Sequence, residues 1–323
     1  SSFTYKGQAV KVRLVAEELG VRYVLEGSVR RAGDQVRINA QLIDALSGGH
    51  LWAERYDGTL ADVFALQDRV TARIVEALSL KLTDAEKTLL ARKGTENAEA
   101  YDAYLEGWAA YLRETPGDYV RAVARLKLAI SLDPGYDRAR AALAQVYWSA
   151  AERAWLEPLG FALWTEAKLA VSEQLDRIKE PDPVALRARA DIARDGLFFE
   201  KAVTLAREAL ALDPNDIDSH IALAEQLSHA GKANEAIAVI EKAKQLDPKY
   251  PGNFDTALAY AYFTNKAFER AVELARRAVT RNADDVGAYL VLIGAYGHLG
   301  KRQSAAPIIE ALQAHRARVG LSP

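Results

Sequence analysis

The segment from Ile217 to Pro248 constrains the fold more than any other part of the chain, because it contains two amphipathic helices joined by a tight turn at Gly231. The residues that recur at helical spacing are His220, Leu223, Ala224 and Leu227 in the first helix and Ala236, Ile240 and Ala243 in the second. The small side chains allow the two helices to approach closely. A pair of this kind cannot bury its own apolar face, so the segment predicts neighbouring pairs.

The end of this pair sets a repeat length. Asp247-Pro248 ends the second helix, and the preceding Asp-Pro, at Asp213-Pro214, lies 34 residues earlier. This period, together with the order of large and small residues, resembles the tetratricopeptide repeat (TPR), a helix–turn–helix unit of about 34 residues. The resemblance covers roughly two thirds of the chain and implies a solenoid.

Five further helix pairs follow from the same pattern. The six predicted pairs are Ala98–Leu112 with Tyr119–Leu132, a helix through Leu143, Ala144 and Tyr147 with Thr165–Ile178, Val184–Asp195 with Glu200–Leu212, the Ile217 unit, a fifth through Leu258 and Ala271, and a sixth through Tyr289 and Ala305. An insertion at residues 152–164 interrupts the second pair. Since about three pairs suffice for a stable stack, we predict a TPR α-α superhelix over residues 98–320.

Residues 1–82 follow a different pattern. A helix over Val10–Leu19 precedes three strand-like runs, Tyr23–Arg31, Gln35–Asp44 and His50–Tyr56, which alternate with period two and are separated by glycine-bearing turns. A helix over Leu60–Leu82 follows, and residues 83–97 form a polar linker. We therefore predict a small α+β domain before the mainly helical part. Its core is thin, so we expect the domain to begin before Ser1.

Composition excludes several functions. The net charge of −2 gives no electrostatic reason to expect nucleic-acid binding, and no apolar run is long enough to cross a bilayer. The chain has no cysteine, which rules out disulfides and thiolate chemistry. It also has no methionine and starts at Ser1, so we interpret it as a fragment of a longer protein.

The N-terminal part carries a second resemblance. The runs SSFTYKG, VAEELGVRYVLEGSVRRAGDQVRINAQLIDALSGGHLWAERYDG and FALQDRV closely resemble the TolB-like (FlgO-like) domain that precedes TPR arrays in bacterial signalling proteins. The runs YLEGWAAYLRETP, VYWSAAERAW and AYGHLGKRQSA look most like the branch linked to class III adenylate or guanylate cyclases. The resemblance implies a non-catalytic sensor region whose output domain lies outside this chain.

The same resemblance bears on alternatives and on location. The output domain of such proteins is commonly a cyclase, but a winged-helix transcription regulator is also found, and a stand-alone TPR scaffold would have a similar sequence. A membrane span often precedes the TolB-like domain in the resembled proteins, which favours the periplasm over the cytoplasm. A balanced, cysteine-free surface suits both compartments.

No motif for catalysis, cofactor binding or metal binding is found. No segment resembles a cyclase catalytic domain, so no catalytic residue is carried over, and a hydrolase site in the N-terminal domain is the weakest alternative. The histidines His50, His220, His229, His298 and His315 lack metal-ligand spacing. Gly294, Gly297 and Gly300 do not have dinucleotide-binding spacing and indicate helix contacts and a turn. We predict no cofactor.

The insertion is rich in tryptophan. Trp148, Trp155 and Trp164 are three of the five tryptophans of the chain. They are expected either to fill the gap where the insertion interrupts helix stacking or to contact an aromatic ligand or a peptide, because exposed aromatic side chains anchor interfaces.

The concave groove is the second candidate site, since the first helix of each TPR pair lines the inner surface. The side chains aimed there by spacing are Gln145, Trp148, Ile221, Glu225, Ser228, Tyr260 and Phe263, with Gly294 beside them. They lack the lysine and asparagine set of carboxylate-clamp TPRs. The groove therefore suits an apolar or mixed peptide, a protein partner or a second copy of the chain, and the alternative is an array that only spaces or dimerises output domains.

Overall fold

The computed structural model describes residues 11–59, 62–77, 94–247, 250 and 252–318. Two compact units are found, Ser1–Asp102 and Ala103–Pro323. The predicted segments SSFTYKG, residues 78–82, most of the linker at 83–97 and the stop at Pro248 lie outside the described residues. The domain limits at 82 and 98 therefore stay a prediction.

The N-terminal unit is a three-stranded meander with helices. Helix α1 (Val12–Leu19) precedes strands β1 (Tyr23–Ala32), β2 (Gln35–Asp44) and β3 (Gly49–Thr59), and helix α2 (Val63–Ala77) follows. The sheet is antiparallel in the order β1-β2-β3. The turns before β2 and β3 contain Gly33 and Gly48, whose φ angles of 60° and 70° favour glycine. The predicted small sheet is confirmed.

The core of this unit lies between the sheet and α2. Leu66 of α2 is fully buried against Val36, Tyr56 and the partly buried Ile38 and Trp52. Gly58 of β3 leaves room for Leu66, because a Cβ atom at residue 58 would lie 2.9 Å from the leucine Cδ1. Alternation along β2 therefore places one row of side chains under the helix, as the period-two pattern predicts.

The helical unit is a stack of six antiparallel pairs, which confirms the predicted fold class. The pairs are α3 (Ala98–Tyr111) with α4 (Pro116–Leu132), α5 (Asp137–Glu152) with α6 (Trp164–Asp176), α7 (Pro183–Asp195) with α8 (Phe199–Leu212), α9 (Ile217–His229) with α10 (Ala233–Leu246), α11 (Asn253–Thr264) with α12 (Phe268–Arg281), and α13 (Val286–His298) with α14 (Arg302–Arg318). Fully buried alanines at the helix contacts, among them Ala224, Ala236 and Ala243, permit this close packing.

The first helix of each pair packs against the first helix of the next pair, from α5 through α7, α9 and α11 to α13. The second helices α6, α8, α10 and α12 each pack against the first helices on either side of them. We call the surface formed by the first helices the inner face.

The conformation at the helix ends explains why Asp-Pro marks the end of a repeat. At Asp133 and Asp213 the chain leaves the helix in an extended conformation. Their Oδ1 atoms accept hydrogen bonds from the backbone N–H two residues later. Asn282-Ala283 stands where Asp-Pro is usual, and the Asn282 Oδ1 accepts a hydrogen bond from Asp284 N at 3.0 Å. An asparagine thus makes the same turn as Asp-Pro.

Candidate functional site

The predicted inner-face residues fall into two layers. Three of them form the floor, since Trp148, Ile221 and Ser228 are only 2%, 6% and 2% exposed. Ser228 donates its hydroxyl proton to the Ala224 carbonyl at 2.8 Å, which ties it to its own helix. The half-buried residues above the floor are Gln145, Glu225, Tyr260 and Phe263. These four are therefore the predicted groove residues that a partner can reach.

The tryptophans of the insertion pack onto neighbouring helices. Trp155 meets Tyr119 edge-on, with ring centroids 5.1 Å apart, and Trp164 meets Trp148 at 5.2 Å. The chain reaches this arrangement through a left-handed residue, Ala154, with φ 58°. Trp155 and Trp164 remain half-buried, so they fill the gap in the stack and still present part of each ring at the surface.

Arg194 is the centre of a charge cluster on the inner face. Its guanidinium lies 2.9 Å from Glu152 on α5, 3.2 Å from Asp191 on its own helix and 3.9 Å from Glu225 on α9. Asp191 also accepts a hydrogen bond of 3.0 Å from Nε2 of Gln226, which is fully buried. Three carboxylates thus share one guanidinium.

The pKa values of Asp191 and Glu225 reflect this sharing of one guanidinium by three carboxyl groups. Burial, with Glu152 nearby, raises the pKa of Asp191 to about 7 against the pull of Arg194. Burial raises the pKa of Glu225 to about 8, and the negative charge of Asp191 adds to the shift. Because 40% of the Glu225 side chain is exposed, solvent screening reduces the free energy that its shift represents.

Aromatic rings continue the site along the stack. His229 at the end of α9 lies near-parallel to Phe199, and its Nδ1 is 3.1 Å from the Tyr260 hydroxyl. Partial burial, with Arg194 nearby, lowers the pKa of His229, although part of the residue reaches the surface. One pair further on, Phe263 packs edge-on against His298 at 5.7 Å.

A cavity of about 320 Å³ opens beside Arg194, and we call it the Trp148 cavity. Its lining residues are Trp148, Glu152, Trp164, Arg194, Asp195, Leu197, Phe199 and His229. The structure therefore brings together Trp148 and Trp164 of the insertion with the groove residues Glu225 and Tyr260, through Arg194 and His229. Gln145 lies apart from this site and bonds Ser149, and Trp155 and Phe263 belong to other contacts.

Sequence reasoning missed Asp191, Arg194 and the role of His229. The repeat period could have found two of them, because Asp191 and Arg194 lie one 34-residue period before the predicted Glu225 and Ser228. Within the described residues, no group of three or more acidic or histidine side chains is arranged to hold a metal ion. Among the described helices, none is long and apolar enough to cross a membrane.

Comparison with known proteins supports the repeat assignment. Residues 205–238 match the family model "Tetratricopeptide repeat", which covers the first part of the Ile217 unit and the end of the pair before it. A tetratricopeptide repeat is thereby confirmed at residues 205–238.

One curated relative is similar to part of this chain. A Rhizobium meliloti protein named "Putative adenylate cyclase 3" is 50% identical to this chain over 143 residues. The match covers 44% of this chain and 24% of that protein, so this chain spans about a quarter of the relative's length.

Solved structures with similar helical stacks are more distant. The Pseudomonas aeruginosa pilF protein has a TM-score of 0.44 and 18% identity, and the match covers 67% of this chain and 91% of that one. A thermophilic TPR protein of Thermus thermophilus has a TM-score of 0.40 and 17% identity, covering 61% of this chain and 98% of that one. Similarity at this level gives no information on a ligand or partner.

Proposed function

We propose that this chain is a non-catalytic sensor or interaction region that binds a peptide or protein on the inner face of its helical stack. The observation that carries the proposal is the cluster around Arg194, where charged groups and partly exposed aromatic rings meet in one concave place. Helix packing alone does not require three carboxylates around one guanidinium beside a cavity. Protein interfaces, in contrast, commonly combine charged groups with aromatic side chains.

The proposal also concerns the output domain that this binding would regulate. The resemblance of the N-terminal unit to TolB-like domains and the curated name of the Rhizobium meliloti relative both favour a cyclase outside this chain. Any cyclase activity would then reside in the rest of a longer protein. A winged-helix regulator and a stand-alone scaffold are the alternatives, and self-association of the stack is the alternative to an external partner.

A peptide library tests the binding part. An immobilised library of N-acetylated, C-amidated decapeptides is incubated with the full 323-residue chain, and retained protein is quantified. We expect retention on a defined subset of sequences and a loss of affinity of about fivefold or more for Tyr260→Ala, because Tyr260 is half-buried on the inner face and bonds His229. Val120→Ala on the second helix α4, 41% exposed, is the control and should bind normally.

Two results separate the alternatives. Retention of wild type and Tyr260→Ala to the same extent would show that the inner face is not the binding surface. Sedimentation velocity over a concentration series, without any peptide, measures self-association. A dimer that forms without partner and is lost in Tyr260→Ala would replace the external partner with a second copy of the chain.

A further inference from the structure

The tight turn between α7 and α8 differs in sequence from the tight turns of the other pairs. Leu197 occupies its left-handed position, with φ 61°, and Phe198 follows. The residues at the corresponding two positions of the other four tight turns are polar or small, namely Glu114-Thr115, Gly231-Lys232, Lys266-Ala267 and Gly300-Lys301. The turn itself therefore does not require two large apolar side chains.

Leu197 and Phe198 are energetically unfavourable at this turn. A left-handed φ is strained for leucine, and the two side chains are 73% and 66% exposed, so this chain buries little of them. The ring of Phe198 is nevertheless held in place over Gly196, where a Cβ atom would lie 2.9 Å from the phenylalanine Cδ2. Strained backbone and exposed apolar side chains together indicate a contact surface. We call Leu197 and Phe198 the Leu197 knob.

The Trp148 cavity opens directly beside the knob, since Leu197 is one of its lining residues. Trp164 and Phe199 also line the cavity, so much of its wall is apolar and aromatic. Its volume of about 320 Å³ is at the lower end of the range for binding pockets and is sufficient for one apolar side chain. A projecting apolar group and an apolar recess thus lie side by side on one surface.

The charged groups that line the cavity are paired within the chain. Asp195 lies 2.6 Å from Lys168, and Glu152 lies 2.9 Å from Arg194. A cationic side chain entering the cavity would be repelled by Arg194, and an anionic one would be repelled by Asp195 and Glu152. An uncharged apolar side chain leaves both ion pairs intact. The electrostatics of the cavity therefore favour an apolar occupant.

We propose that two copies of this chain associate through this surface, with the Leu197 knob of each copy inserted in the Trp148 cavity of the other. A two-fold contact requires a self-complementary surface, in which a projection on one copy meets a recess on the same surface of the other. A second copy accounts for the exposed knob and the cavity together, whereas a bound peptide would account for the cavity alone.

The charges around the knob are compatible with such a contact. The ion pairs Lys168–Asp195 and Arg194–Glu152 provide both signs of charge, so a two-fold arrangement can place opposite charges next to one another. This contact goes beyond the proposed function, because Tyr260, the inner-face residue tested there, is not among the residues that line the cavity.

Sedimentation velocity of the full chain measures the association. We expect a concentration-dependent dimer in the range of about 1–300 µM, because a small interface gives a weak, transient complex. Leu197→Asn should weaken the dimer about tenfold or more, since each dimer loses two buried leucine side chains. Tyr260→Ala on the inner face should leave the dimer unchanged.

Asparagine at residue 197 separates the contact from the fold. Asparagine tolerates a left-handed φ better than leucine does, so Leu197→Asn should raise the urea unfolding midpoint of the dilute, monomeric chain while it weakens the dimer. The matched control is Lys266→Asn in the turn between α11 and α12, where φ is 62°. It should also raise the midpoint and should leave the dimer as in wild type. If Leu197 only stabilised the fold, its replacement would lower the midpoint.

A mixture of two variants tests the reciprocal arrangement. Glu152→Trp places a bulky ring at the cavity and keeps the knob, whereas Leu197→Asn removes the tip of the knob and keeps the rest of the cavity. Neither variant should form the contact alone. Their mixture can form one contact per dimer, so we expect it to associate more tightly than either variant by itself. Circular dichroism checks that each variant is folded.

The outcomes are distinguishable from those of the peptide library. A chain that stays monomeric to about 300 µM would overturn this inference without affecting peptide retention on the inner face. A dimer that Leu197→Asn and Lys266→Asn weaken equally, or one that Tyr260→Ala abolishes and Leu197→Asn does not, would also overturn it. A mixture that associates no more tightly than its components would exclude insertion of the knob in the cavity.

Discussion

Arg194 shows how one residue sets the electrostatics of the inner face. Its contacts with Glu152, Asp191 and Glu225 join α5, α7 and α9, which are the first helices of three successive pairs. The Arg194 side chain is only 18% exposed, so its guanidinium must keep these partners or lose solvation without compensation. The carboxylates, in contrast, exceed what one cation can neutralise. The cluster is thus a tie between helices in which Asp191 and Glu225 keep their protons to higher pH than usual.

The raised pKa of Glu225 predicts a pH-dependent stability. In the folded chain this pKa is about 8, above the ordinary value of 4.5, so between these values the unfolded chain loses a proton that the folded chain retains. The contribution of Glu225 to stability therefore falls as pH rises from about 4.5 to about 8 and is level above that. We expect Glu225→Gln to gain stability relative to wild type from about pH 5 to about pH 8, measured as urea unfolding midpoints.

The comparison between the two proteins isolates Glu225 from other titrating groups. The charged or titratable groups that act on it are Glu152 on α5, Asp191 and Arg194 on α7, Tyr260 on α11 and Asp285 before α13. All of them are present in both proteins. Parallel midpoint curves across this pH range would contradict the assigned shift of Glu225.

Part of the candidate site could be predicted from the sequence. Helical spacing identifies Glu225 and Tyr260 as inner-face residues, because it fixes which side of a helix a residue occupies. It does not give depth, so it assigns Trp148, Ile221 and Ser228 to the same groove although they are buried in its floor. Nor does spacing give contacts between helices of different pairs, and those contacts make Arg194 and His229 part of the site.

At the scale of elements, the turns within the pairs share one backbone feature. The residues with left-handed φ at these turns are Glu114, Leu197, Gly231, Lys266 and Gly300. Only two of them are glycine, so three turns hold a larger residue in a conformation that costs about 1 kcal/mol or more. The packing of the two helices in a pair therefore imposes the left-handed conformation even where the residue at the turn disfavours it.

Substitution of glycine by alanine measures that requirement. Gly231 has φ 74°, and a Cβ atom there would meet nothing within 4 Å, so Gly231→Ala should destabilise the chain by about 1 kcal/mol through backbone strain alone. The control, Gly117→Ala, is in the first turn of α4, where a Cβ also has open space and φ is not left-handed. It should stabilise by about 0.5 kcal/mol. Equal effects in urea unfolding would contradict the argument.

Helix boundaries show what local signals can and cannot fix. Apolar spacing predicts that the second helix of the first pair begins at Tyr119, but α4 begins at Pro116. The start signal is present in the sequence, since Thr115 accepts a hydrogen bond from Asp118 N and proline occupies the first helical position. The predicted C-terminal ends at Leu132 and Leu212 are correct, because Asp-Pro is a strong stop.

At the scale of the whole stack, two hydrophobic clusters divide the core. One extends from Ala110 to Ala188 and the other from Ala190 to Ala305, so α7 contributes to both. In a repeat array each pair interacts mainly with its neighbours, so the free energy of unfolding can differ from one part of the array to another. The stack should therefore open in parts.

Hydrogen exchange can detect such partial opening. Leu258→Ala removes a fully buried side chain in the second cluster and should cost about 2–5 kcal/mol. We expect backbone exchange to rise mainly in α9 to α14. Leu126→Ala, the matched change in the first cluster, should raise exchange mainly in α3 to α6. A uniform rise along the stack in both variants would show that the helical unit unfolds as one.

The tryptophans packed around the insertion have a spectroscopic consequence. Trp108, Trp148, Trp155 and Trp164 all lie in or against the first hydrophobic cluster, and the fifth, Trp52, belongs to the N-terminal unit. Helices α8 to α14 contain none. Emission excited selectively at tryptophan will therefore follow the first half of the stack and, through Trp52, the N-terminal unit, while far-ultraviolet circular dichroism also follows the C-terminal pairs. Any gap between the two melting curves would measure the independence of the C-terminal pairs without a label.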